Sequence, residues 1–76
     1  MPKLPIIKPK ELIRVLHKLD FIEIRQKGSH MFFYRQRDNR ATSVPFHVKD
    51  LGKGLLRKIL HQINLNVDDF IKLLKK

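Results

Sequence analysis

The chain has no cysteine, so neither a disulfide nor a thiolate-bound metal can hold it together. Acidic residues are scarce and scattered. Glu11, Asp20, Glu23, Asp38, Asp50, Asp68 and Asp69 make no cluster of the kind two-metal nucleases use. There is no HExxH and no pair of histidines at i and i+4, so nothing points to a metal. No apolar run approaches the roughly 20 residues that span a bilayer, and the opening MPKLPIIKPK lacks the apolar stretch and small-residue cleavage site of a secretion signal. Internal repeats and low-complexity tracts are missing too. These absences lead us to expect a cytoplasmic protein in which residues 1–76 form a single domain, its modest core built mainly from Leu and Ile.

What is present in excess is positive charge. Seventeen Lys and Arg against seven Asp and Glu leave a formal +10 on 76 residues. Self-repulsion of that size opposes the folded state, and a polyanionic partner relieves it. Nucleic acid, an anionic membrane surface and an acidic protein all qualify on charge alone, as does a merely basic surface without a partner.

Hydrophobic periodicity changes twice along the chain. After a proline-containing lead-in over 1–8, Pro9 suits the first turn of a helix. Leu12, Ile13, Leu16 and Leu19 then recur at helical spacing, with Lys10, Arg14, His17 and Lys18 on the other side. This helix is expected to end near Leu19–Asp20. Residues 21–27 alternate like a half-buried strand, Gly28-Ser29 interrupts, and the aromatic-rich run 30–35 follows, as in a tight hairpin whose glycine needs positive φ. A turn at Arg37–Arg40 leads to a short strand, 41–44, closed by Pro45. Leu55, Leu56, Ile59, Leu60 and Ile63 form the stripe of a second helix, with Gly52 and Gly54 at its start and Asn64 as its left-handed cap. Asn66 can N-cap a short last helix with Val67, Phe70, Ile71 and Leu74 inward. The expected fold class is α+β, a three-stranded antiparallel sheet covered on one face by helices.

A two-residue turn at Gly28-Ser29 pairs Lys27 with His30, Arg25 with Phe32 and Glu23 with Tyr34. Ile22, Ile24, Met31 and Phe33 then lie under the helices, and Arg25, Lys27, His30, Phe32 and Tyr34 share the free face. Cations hold phosphates, and aromatic rings stack unpaired bases. A partner protein covering that face is the competing reading. Of the four histidines, His17 and His61 lie on polar helix sides, whereas His30 opens a strand beside the turn and His47 follows Pro45-Phe46. Accessible His with many cations and no carboxylate cluster suits metal-independent RNA cleavage. There the 2′-OH is the nucleophile, His the general acid or base, and Lys or Arg the stabiliser of phosphoryl charge.

Lys27-Gly28-Ser29-His30, Val44-Pro45-Phe46-His47 and Gly54-Leu55-Leu56-Arg57-Lys58-Ile59-Leu60, in that order and spacing, resemble the HicA family of toxin–antitoxin mRNA interferases over nearly the whole chain. The resemblance implies an α-β-β-β-α fold like that of double-stranded-RNA-binding domains, here with a short C-terminal helix. It also implies ribosome-independent mRNA cleavage, growth arrest, no cofactor, and a cognate HicB antitoxin that covers the active site. The family's catalytic histidine falls on His30, with Gly28 and Ser29 as the turn that presents it, while the part played by His47 stays open. Arg25, Lys27, Tyr34, His47, Lys53 and Arg57 are the expected RNA contacts. The oligomeric state stays open, a monomer being the simplest case. Two positions depart from the family pattern: Asp20 stands where a Gly is frequent, and Leu55 replaces a frequent Thr, removing a hydroxyl at the second helix's start. A non-catalytic nucleic-acid-binding module using the same basic face is the alternative, and an adaptor for an acidic protein is compatible with either.

Overall fold

A computed structural model describes residues 3–75, so Met1 and Pro2 of the lead-in and Lys76 lie outside the described residues. Helix α1 spans Pro9–Lys18, strand β1 Ile22–Lys27, strand β2 His30–Arg35 and strand β3 Arg40–Pro45; α2 (Lys53–Gln62) and α3 (Val67–Leu74) follow. A short 3₁₀ turn, Gln36–Asp38, with left-handed Asn39 joins β2 to β3. The sheet is antiparallel in the order β1-β2-β3. The helices pack on one face, as the α+β reading expects.

The helix ends follow from local chemistry. Pro9 opens α1, and the Glu11 carboxylate accepts the Lys8 amide at 3.0 Å, satisfying a donor the helix cannot. Asp20 (φ +69°) and Asn64 (φ +57°) end α1 and α2 in the left-handed conformation. In each case two reverse hydrogen bonds close the end. Phe21 N–H donates to Leu16 O and Asp20 N–H to His17 O; Leu65 N–H donates to Leu60 O and Asn64 N–H to His61 O. This is the Schellman pattern, which favours glycine at the left-handed position. Asn66 caps α3 by accepting the Asp69 amide at 2.8 Å, and the far end of α3 is capped from α1: Arg14 donates to Leu74 O and Lys18 to Leu73 O.

Phe33, Val44, Leu12, Val15, Leu16, Leu56, Ile59 and Phe70 are among the fully enclosed side chains. The lead-in contributes more than its prolines suggest. Leu4 and Ile7 are buried, and Ile7 forms a bridge with Leu51. Burial of each such side chain stabilises by about 1.5–3 kcal/mol.

Four core assignments fail, two of them on β1. Ile22 and Ile24 are 60% and 54% exposed rather than under the helices. The expected register holds for Lys27–His30, Gln26–Met31 and Arg25–Phe32, then breaks at a β-bulge, beyond which Glu23 meets Phe33 and Ile22 meets Tyr34. The bulge's extra residue is Ile24, and it moves Ile22 to the free side. Since α1 and α2 lie against β3, the β1 edge is left uncovered. Leu55, expected in the α2 stripe, is also exposed, and on α3 Leu73 packs against the core where Ile71 was expected.

One buried charge closes the end of the sheet away from the hairpin turn. Arg35 donates to both carboxylate oxygens of Asp38 (3.0 and 2.7 Å) and to Leu19 O (3.0 Å), and its guanidinium lies 4.5 Å from the Phe21 ring centroid. Arg40 approaches the same carboxylate at 3.3 Å. The Arg35 hydrogen bond, aided by the Arg35 and Arg40 charges, holds the Asp38 carboxyl below its usual range despite some desolvation.

Replacing Arg35 by Met should cost about 2–3 kcal/mol in urea unfolding, because the Leu19 carbonyl loses its partner. The depressed Asp38 pKa means that the unfolded chain takes up this proton first as pH falls. Its stabilisation is therefore complete above the ordinary Asp value of about 4 and is lost as pH drops through the folded value. Urea midpoints measured from pH 6 downward should fall over that window in the wild type and fall less in Asp38→Asn. At Asp20, thermal melting should find Asp20→Gly neutral or stabilising and Asp20→Val destabilised by about 1–2 kcal/mol, reflecting the left-handed backbone.

Candidate nucleic-acid interface

The site is built on backbone. Gly28 has φ +59° and Ser29 does not share a positive φ, as in a type II′ hairpin turn, so the glycine is demanded by conformation. A Cβ there would meet nothing within 4 Å. His30 starts β2 next to this turn, paired on one side with Lys27 and on the other with Pro45. The Phe46 amide donates to Ser29 O at 2.9 Å, which ties the segment beyond β3 to the turn. His30 and His47 each follow one member of that bonded pair. The His47 ring packs edge-on to Phe46, with centroids 4.2 Å apart.

Alternation along β2 puts His30, Phe32 and Tyr34 on the face away from the helices, with Met31, Phe33 and Arg35 toward them. His30 and Lys27 are exposed. Arg25 is exposed, and its guanidinium lies over the Phe32 ring at 4.7 Å. Tyr34 donates its hydroxyl to Asn39 Oδ1 at 2.7 Å. A base stacking on Phe32 would therefore have to displace Arg25. Lys53 is the first residue of α2, after the N-cap Gly52, on the chain that leaves the Phe46–Leu51 segment. Arg57 lies a turn further along α2, in the helical layer behind the sheet. The structure thus gathers Gly28, Ser29, His30, Lys27 and the Phe46–His47 segment at one end, while Arg57 lies exposed on α2.

Sequence reasoning did not pick Lys8 and Lys49, and placed Lys10 only on a solvated helix side. The Ile7–Leu51 bridge brings the start of α1 to the segment after β3. Lys8, Lys10 and Lys49 line one cleft there together with Met31 and Phe46. Their distance in sequence gave no signal of this. The acids Asp20 and Asp38 are engaged by arginines at the opposite end of the sheet, about 17 Å along β2. Among the described residues no three His, Asp or Glu side chains gather as a candidate metal-binding group, and no helix is long and apolar enough to cross a membrane.

Fold and site define a small basic α+β protein, compatible with the double-stranded-RNA-binding-domain type, whose exposed histidine sits at a hairpin turn. Residues 9–65 match the family model described as HicA toxin of bacterial toxin–antitoxin, and the chain belongs to that family. It is accordingly a toxin-family protein, and membership implies a cognate antitoxin. No curated protein matches the chain significantly.

Gly28→Ala should destabilise the hairpin by about 1–2 kcal/mol through backbone conformation alone, since there is space for the methyl group. Ser29→Ala should change stability by less than about 0.5 kcal/mol. Thermal or urea melts of the two variants check the difference.

Proposed function

We propose that this single domain is an endoribonuclease that cleaves mRNA without a metal or other cofactor, in the cytoplasm, and is held inactive by a HicB-type antitoxin. The observation that carries the reading is the placement of His30. It is exposed at a turn fixed by Gly28, beside Lys27, with the His47 segment tied alongside through the Phe46–Ser29 hydrogen bond.

His30 takes the proton of a ribose 2′-OH, and the oxygen attacks the adjacent phosphorus. The P–O5′ bond breaks, and the departing O5′ receives a proton from a general acid, for which His47 or water serves; in the reverse assignment His30 is that acid. Lys27, Arg25 and Lys53, with His47 when it is protonated, hold phosphoryl oxygens whose charge grows in the transition state. DNA lacks the 2′-OH and would be bound without being cut. Growth arrest follows from loss of message, and an antitoxin that covers this end would block it.

Incubation of the purified protein with end-labelled single-stranded RNA in EDTA tests the reading. Products should carry 2′,3′-cyclic phosphate and 5′-OH ends, and His30→Ala should lower the rate by about 10²–10⁴-fold. A magnesium requirement would overturn the mechanism. Salt-dependent binding with no cleavage would leave a non-catalytic RNA- or DNA-binding module on the same basic face.

A further inference from the structure

Beside the histidines, but on the helix side of the sheet, a cleft of about 390 Å³ opens between the start of α1 and the segment after β3. Its apolar wall comes from Ile13, Met31, Phe46 and Val48. Lysines 8, 10 and 49 also line it, and no acid does. Glu11, the nearest acid along α1, is already engaged by the Lys8 amide. Met31 and Phe46 are the chain neighbours of His30 and His47, so the cleft begins one residue from each imidazole.

We infer that this cleft is a nucleobase subsite, seating the base of the nucleotide next to the scissile phosphate. This inference rests on the endoribonuclease reading and adds where the strand is read. Three observations favour a base over other occupants. On the free sheet face Arg25 already lies over Phe32 and so competes with a base for that stacking surface. The cleft supplies that surface instead, with an aromatic ring and half-exposed Val48. Its lysines suit the phosphates on either side of a seated base, as point charges that require no fixed fork geometry. The size lies at the lower end of ligand sites, about 300–1,000 Å³, room for one base and its sugar rather than a run of bases.

The test compares wild type with Val48→Ser, Phe46→Ala and Lys10→Ala/Lys49→Ala on a single-stranded RNA of mixed sequence, with melting curves to establish folding. Val48 is 45% exposed, so its variant keeps the comparison valid should Phe46→Ala fail to fold. The expected result is a KM raised about ten-fold with kcat little changed, and a flattened base preference at one position beside the cut. Unchanged KM and preference in folded variants overturn the subsite while leaving the nuclease reading intact. Normal cleavage with weakened capture of the cognate antitoxin assigns the cleft to the protein partner and overturns it as well. If wild type cleaves no RNA, the nuclease reading itself fails and takes the subsite with it.

Discussion

Phe33 lies at the centre of the middle strand with no exposure, under helices that cover only one side of a three-stranded sheet. With side chains alternating along a strand, burying Phe33 sends its neighbours Phe32 and Tyr34 outward, and His30 with them. A slip of one residue would bury an imidazole and expose one of the three phenyl rings of the core. Register is therefore the constraint on which the rest depends, and it is pinned at both ends of β2. At one end Gly28 makes the turn; at the other Arg35 forks onto Asp38 and reaches the Leu19 carbonyl. The bulge at Ile24 lies between these anchors on β1, where loss of register disturbs nothing in the core.

The positive charge is divided along the same axis. Arg35, Arg37 and Arg40 bind acids at the Arg35 end, where the planar guanidinium can satisfy carboxylates and carbonyls together. Arg14 and Lys18 cap α3. At least five of the seventeen Lys and Arg thus have a structural role, and the net charge by itself does not say where a polyanion would be met. The charge on which the proposed function draws is local: Lys27 beside the turn, Lys53 at the start of α2, and Lys8, Lys10 and Lys49 around the cleft. Lysine suits the proposed phosphate contacts there, as a compact charge on a flexible stem that needs no fixed fork geometry.

Much of this was legible in the sequence because it is local. The Gly28-Ser29 turn, the pairing from Lys27 to Arg25 and the Asn64 and Asn66 caps each depend on a few consecutive residues. Ile22 and Ile24 were misplaced because strict alternation is the only rule a sequence offers for a strand, and a bulge breaks it without a marker residue. Asp20 marks a subtler case. A glycine there would announce a left-handed cap, whereas an aspartate conceals it behind an ordinary polar residue, though Asp is among the few that tolerate that backbone. The core role of Leu4 and Ile7 and the gathering of Lys8, Lys10 and Lys49 were hidden for another reason. Both follow from the bridge between Ile7 and Leu51, a long-range contact with no periodic signature.

The family match and the physical reading support each other at different points. Membership covers residues 9–65 and says that the chain is a toxin-family protein; it does not say how a side chain acts. The geometry around His30 makes a particular chemistry reasonable, because every element that positions this residue is backbone: its ladder partners Lys27 and Pro45, the turn before it, and the amide of Phe46. Nothing in the core depends on the imidazole. Such a residue contributes little to folding, as the proposed proton transfer with a bound strand requires. The charged lock that the fold does need sits five residues away at Arg35, on the other face and at the other end of the strand. Stability and the proposed chemistry are thus carried by different ends of one strand, and His30 can be changed without loosening the core.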